Sequence, residues 1–413
     1  MNGIKLERLS SLASNASWSK LMLWMLAVGF FIQLSGKVWL VSGSARNTQV
    51  YIWLLLPALL LSLHKLILKR DFRLDLQYLP WALFLGWVAL STLWATAGES
   101  SALSLAKRGV FVGLYLLAIH MLLNRHEDLF RRVLLVSLVV VAFGALASLI
   151  YQYGVLDKPK AFRAYRIDRM GIGDLVNYGW PVAAGIFNGA VATWVIGVVL
   201  ERRSDRRSFL FWLMLFFVLA AYVFMTGTRG ACFALMGSCI LAVLMHRSKR
   251  GLWGICLCIL LTLGAGIILW DQIIEEVSKR QLSGRGPIWD YYFQVMSGHW
   301  LFGHGLGTPF TYLWPDGKMI SPHAHSLFLQ QVYDSGLVSL FLMVIGLMGL
   351  CYRAWTLRDN PWIRLAFPAL LFAIIAMLTD VERIYTRPGD YWTVFWLPVA
   401  ILLAVSNKKP HAH

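Results

Sequence analysis

The stretch Val133-Leu134-Leu135-Val136-Ser137-Leu138-Val139-Val140-Val141-Ala142-Phe143-Gly144-Ala145-Leu146-Ala147-Ser148-Leu149-Ile150 follows Arg131-Arg132 and decides the fold. It holds no charge, and as a helix it would extend roughly 27 Å, close to the ~30 Å hydrocarbon thickness of a bilayer. In lipid only a helix or a closed barrel satisfies the backbone, and an apolar run of this length is a helix. Working outward, similar blocks recur along the chain, and the sequence predicts twelve helices. They fall near 20–41, 49–68, 77–96, 107–123, 131–154, 179–200, 208–226, 229–246, 251–269, 326–351, 361–379 and 390–406. The 413 residues are 58% hydrophobic and only 14% charged, against about 45–50% and about 25% in soluble domains. The fold class is therefore an all-α polytopic membrane protein, a single integral membrane domain over 1–413. Disordered chains, secreted disulfide scaffolds, zinc ribbons and cytosolic dinucleotide enzymes are excluded. No internal repeat is visible, and no helices broken by Gly or Pro in matching halves.

The first apolar block follows a polar start, Met1 to Ser19, and no small-residue cleavage site comes after it, so it reads as a retained helix. Cys232, Cys239, Cys256, Cys258 and Cys351 lie in or beside apolar blocks and read as buried small hydrophobes; the Cys256-Leu257-Cys258 spacing is too short for CxxC chemistry. The net charge of +17 follows in part from the positive-inside rule rather than from nucleic acid. With the N-terminus cytoplasmic, Lys69-Arg70 with Arg73, Arg131-Arg132, Arg202-Arg203 with Arg206-Arg207, Arg247 with Lys249-Arg250, and Lys408-Lys409 all fall inside. Both termini are then cytoplasmic. Two outer loops are long, 154–178 and 270–325. The second is rich in aromatics and is expected to fold onto the membrane surface. Asp271–Gln281 reads as a short amphipathic helix, and a second helix is expected from Pro287 to Met296, capped by Ser283.

The outer face carries many arginines. Arg163, Arg166 and Arg169 recur every three residues, Arg229 lies in Thr226-Gly227-Thr228-Arg229-Gly230, and Arg285 lies in Ser283-Gly284-Arg285-Gly286-Pro287. A guanidinium fork matches phosphate oxygens with two charge-assisted hydrogen bonds; lipid headgroups are the competing use of such arginines. His323 and His325 stand where the large loop meets the tenth helix, and imidazole is the natural general base near neutral pH. His299 and His304 read as structural. The outer acids, among them Asp168, Asp174, Asp380 and Glu382, form no DxD or ExD pair. No metal site and no cofactor is therefore expected. Asp334, inside a helix, reads either as functional or as a partner to an outer arginine. No nucleotide-binding fingerprint is present.

Arg285-Gly286-Pro287-Ile288-Trp289, then Leu301-Phe302-Gly303-His304-Gly305-Leu306-Gly307, then His325-Ser326-Leu327-Phe328-Leu329 resemble the O-antigen ligase and polymerase superfamily. Thr228-Arg229-Gly230 is similar to that family's upstream arginine motif. Ser326 stands where many relatives have Asn, and the resemblance covers roughly residues 220 to 340. It implies a metal- and nucleotide-independent transferase of the C-type glycosyltransferase class, in the bacterial inner membrane and facing the periplasm. The implied partners are an undecaprenyl-pyrophosphate-linked polysaccharide, lipid A–core as acceptor, and the phospholipid bilayer. On this reading Arg229 and Arg285 hold the pyrophosphate, His325 is the base, and Arg163, Arg166, Arg169, His323 and Trp289 contact substrate. Polymerisation of O-antigen units or protein O-glycosylation from the same donor are alternatives. So is a flippase for lipid-linked oligosaccharide, although its arginines should line a cavity at several depths.

Overall fold

A computed structural model describes residues 2–69, 75–96, 98, 100–161, 163–201, 205–248, 251, 285–314, 317 and 320–405. Its helices are α1 (Asn2–Trp39), α2 (Gly43–Ile67), α3 (Leu76–Trp94), α4 (Ala102–Arg125), α5 (Glu127–Val155), α6 (Pro181–Leu200), α7 (Arg206–Met225), α8 (Arg229–His246), α9 (Arg285–Val295), α10 (Leu327–Thr356), α11 (Pro361–Met377) and α12 (Trp392–Ala404). A two-residue antiparallel ladder pairs β1 (Tyr312–Leu313) with β2 (Ile320–Ser321). Among the described residues nine helical segments are long and apolar enough to cross a membrane, and α11 and α12 are shorter apolar helices. The nine lie on nine of the twelve expected spans, and the shorter α11 and α12 lie on two more. The expected span at 251–269 and the expected Asp271–Gln281 helix lie outside the described residues, as does Ser283. The helix expected from Pro287 is described over Arg285–Val295, so it includes Arg285.

The bundle is organised around α6, which is buried over most of its length and packs on α7, α8 and α11. Pro181 sits at its start, where a missing N–H is harmless. Small residues let the neighbours come close, as is usual between helices in lipid. A Cβ on Gly189 would lie 2.5 Å from the ring of Phe372, and one on Gly185 would lie 2.8 Å from Thr226 Oγ1. Thr193 and Ser238 add a hydroxyl–hydroxyl bond of 2.9 Å between α6 and α8. Lys37 at the end of α1 and Arg46 in α2 both pair with Asp390, which fixes the entry to α12.

One helix, α10, is broken within its length. Gly336 has φ 75° and ψ 178°, so the helix is interrupted two residues after Asp334. The freed backbone groups find partners in the segment after α9: Leu337 N–H donates to Trp300 O (2.8 Å), and His304 N–H donates to Tyr333 O (2.7 Å). Trp87 of α3 donates its indole N–H to Ser335 O at 2.8 Å. Only glycine fits, because a Cβ at 336 would meet Leu301 O at 2.0 Å. Asp334-Ser335-Gly336 sits inside an apolar run, and hydropathy alone hides the break. Beside it a second, smaller core gathers Ile288, Tyr292, Met296, Phe310, Ala324, Val332 and Tyr333. It fastens α9 and the following loop to the first half of α10. The two expected structural histidines belong here: His304 stacks on His299 and Tyr333, with centroids 4.1 and 4.6 Å away, and its Nε2 meets Val295 O at 3.0 Å.

Candidate active site

The turn between α7 and α8 is only three residues long, Thr226 to Thr228, with Gly227 at φ +60°. Arg166 closes over it: its Nε donates to Thr226 O at 2.7 Å and its second guanidinium nitrogen to Thr228 Oγ1 at 3.4 Å. A Cβ on Gly227 would lie 2.9 Å from Arg163 Cγ and 3.4 Å from Arg166 Nε. A side chain at this position would thus push both arginines away. Arg229 is half-buried and opens α8, with Thr228 as the capping residue. Arg163, Arg166 and Arg229 therefore converge on one turn. Arg169 does not join them. It forks onto its neighbour Asp168, with Nη2–Oδ2 at 2.8 Å and Nε at 3.1 and 3.2 Å from the two oxygens.

Arg285, the first residue of α9, donates to Asp380 Oδ1 at 2.6 Å. Asp380 belongs to the connection between α11 and α12, and its other oxygen stands 3.4 Å from where a Cβ of Gly230 would be. It is thus adjacent to the residue after Arg229, and it feels Arg166 as well as Arg285. Burial raises its carboxyl to about 6, against the pull and hydrogen bond of Arg285.

His323 and His325 precede α10 with ring centroids 4.1 Å apart. His325 has φ 51°, a left-handed conformation that costs a non-glycine residue about 1–2 kcal/mol. The surroundings impose it. Trp289 donates its indole N–H to Ala324 O (3.0 Å), while Ala324 N–H donates to Gln330 Oε1 (3.0 Å). His325 N–H then donates to His323 Nδ1 at 3.2 Å. Gln330 is oriented by Asp334 (Nε2–Oδ1 3.0 Å), and Asp334 accepts from Arg383 Nε at 2.6 Å and from a second guanidinium nitrogen at 3.2 Å. Of the two readings of Asp334, the partner to an arginine is the one with a contact on it.

Burial and then the neighbouring His323 and Arg285 push His325 down to about 4; burial, Arg383 and Arg285 do the same to His323. Both rings are neutral at pH 7 and carry a lone pair. Arg285 is the common neighbour of His323, His325 and Asp380. The sequence reading missed Arg383, which serves Asp334 and Glu382. Its signal was available: Thr379-Asp380-Val381-Glu382-Arg383 concentrates charge between two apolar blocks. Among the described residues no group of three or more His, Cys, Asp or Glu is placed to hold a metal ion.

Fold and site together define a multi-pass helical membrane protein with an arginine- and histidine-rich site at one end of its bundle. Residues 209–344 match the family model described as O-antigen ligase. The chain is also similar to an O-antigen ligase of Pseudomonas aeruginosa, 26% identical over 383 residues, which is 92% of this chain and 90% of the relative. Both likenesses agree with the motifs around Arg229, Arg285 and His325, which lie within the matched residues.

Proposed function

We propose that this chain is a transferase of lipopolysaccharide biosynthesis, which moves O-antigen polysaccharide from undecaprenyl pyrophosphate to lipid A–core. The reaction takes place at the periplasmic face of the inner membrane, with both termini cytoplasmic. The observation that carries this reading is the neighbourhood of Arg285, where a cation fit for phosphate stands beside a neutral, solvent-shielded imidazole. Family likeness supports the ligation of O-antigen.

In this reading Arg229 and Arg285 hold the pyrophosphate, and the negative charge that develops on it as the glycosidic bond breaks is stabilised by these fixed cations. Arg285 exchanges Asp380 for a phosphate oxygen, and the raised carboxyl of Asp380 makes that exchange easier. Arg163 and Arg166 reinforce the field at the 226–228 turn. His325 takes the proton of an acceptor sugar hydroxyl as its oxygen attacks the anomeric carbon. One bond forms and one breaks in a single displacement, so the anomeric configuration inverts. Trp289 holds the peptide of Ala324 and thereby the setting of His325. Leu149, Leu210, Met214 and Phe217 line an apolar groove between α5 and α7, which suits the polyprenyl tail.

The test incubates purified protein with an undecaprenyl-pyrophosphate glycan and lipid A–core in EDTA, without nucleotide. A ladder of capped lipid A–core is expected. Transfer that appears only when magnesium or manganese is added back would overturn the cation-only leaving-group scheme. Growth of the glycan without capping would identify a polymerase.

A further inference from the structure

A second basic group lies beside Arg383, the partner of Asp334. Arg108 projects from the first turns of α4, and its Nε is buried with no hydrogen-bond partner among the described residues. Arg387 and Arg383 are its charged neighbours, and Glu382 is the carboxylate that faces them. Arg387 is exposed and reaches Ser104 Oγ on α4 at 3.3 Å. Arg383 is already committed to Asp334 and Glu382, so two carboxylates balance three guanidiniums. Neighbouring hydroxyls do not relieve Arg108. Tyr385 spends its O–H on Ala106 O at 2.7 Å, and Tyr51, which feels both Arg108 and Arg387, makes no hydrogen bond to the Arg108 Nε. A buried guanidinium N–H without an acceptor is costly in a membrane protein unless something supplies one.

From the orphaned Arg108 Nε, the exposed Arg387 guanidinium and the excess of arginine over carboxylate around them, we infer a second anion site. It takes the phosphate monoester of a lipid headgroup lying in the same leaflet. The two sites meet at the histidines through Arg383: His323 feels both Arg285 and Arg383. A lipid anchored by its phosphate at Arg108 and Arg387 lies beside Arg383, itself a neighbour of His323. The phosphate site stands without any assignment of activity. That its occupant is the phosphorylated glycolipid acceptor, not bulk phospholipid, rests on the transferase reading above.

Native mass spectrometry of the detergent-solubilised full chain tests the site without needing turnover. The probes are bisphosphorylated lipid A, the same lipid after phosphatase treatment, phosphatidylglycerol and phosphatidylcholine. The wild type should retain the phosphate monoester at least tenfold better than the dephosphorylated lipid. Arg108→Gln should remove that preference, and Arg387→Gln, an exposed change that cannot disturb packing, should reduce it several-fold. Equal retention of the two lipid A forms by the wild type, or full preference in both variants, would overturn the site. Retention of phosphatidylglycerol equal to that of bisphosphorylated lipid A would overturn the acceptor assignment and leave a phospholipid anchor. Donor retention should be unchanged in both variants; a matching loss there would fold the cluster into the pyrophosphate site and refute a separate one.

Discussion

Two arginine–carboxylate pairs cross the same end of the bundle, and they are built differently. Arg285–Asp380 is a single contact whose side chains are 19% and 7% exposed; Arg383–Asp334 is a two-pronged contact at 11% and 4%. Asp380 hangs from a connecting segment with its carboxyl raised to about 6. Asp334 sits at a helix break and passes its orientation through Gln330 to the peptide before His325. The same chemical pair thus serves as an exchangeable latch in one place and as a fixed brace in the other. Geometry, not residue type, separates them.

The sharpest way to break this contrast is to remove each arginine and compare the damage. Arg383→Ala strands a buried carboxylate and should cost about 3–5 kcal/mol of stability, read as a large drop in thermal unfolding temperature in detergent. Arg285→Ala should leave that temperature almost unchanged, because Asp380 can take up a proton. Similar losses in both variants would dissolve the distinction. Transfer gives the converse. Arg285→Ala should lower it by about 10²–10³-fold, the usual consequence of losing one donor to a developing anion. Lysine should rescue poorly there because it lacks the fork.

Next in size is the brace itself. Gln330→Ala unfastens Ala324 and leaves Asp334 one donor short, which should cost about 1–2 kcal/mol and slow transfer without weakening donor retention. Loss of donor retention with an unchanged rate would place Gln330 on the latch side of the comparison.

The smallest effects are in pH. The sequence alone places the base near 6–7; burial beside His323 and Arg285 lowers His325 to about 4. Transfer should therefore persist from pH 7 to 5 and fall only as the imidazole gains its proton near 4. Over the same range Asp380 becomes neutral through about 6 and releases Arg285, so donor affinity should rise a few-fold between pH 7 and 5. Asp380→Asn should abolish that rise. A midpoint for transfer near 6.5 would show that His325 is solvated in the working enzyme.

The spans were legible because runs such as Val133–Ile150 have no other stable state in lipid. Arg229, Arg285 and His325 were legible from the family's local motifs. Asp334–Arg383 was not, since its partners are 49 residues apart and a single sequence does not say which of many outer acids an arginine meets. The pairing of Arg169 was hidden for a related reason: its partner is the residue beside it, a contact the three-residue spacing does not reveal. The Gly336 break was hidden because one glycine among apolar residues leaves the hydropathy of α10 unchanged.

That break has a mechanical consequence. The segment after α9 is wedged into α10 by its own backbone, with Trp300, Leu301 and His304 bonded or packed on both sides of Gly336. A segment pinned at its midpoint cannot swing aside as a hinged door. On the transferase reading proposed above, glycan and lipid then enter and leave sideways, between helices, while this segment stays still.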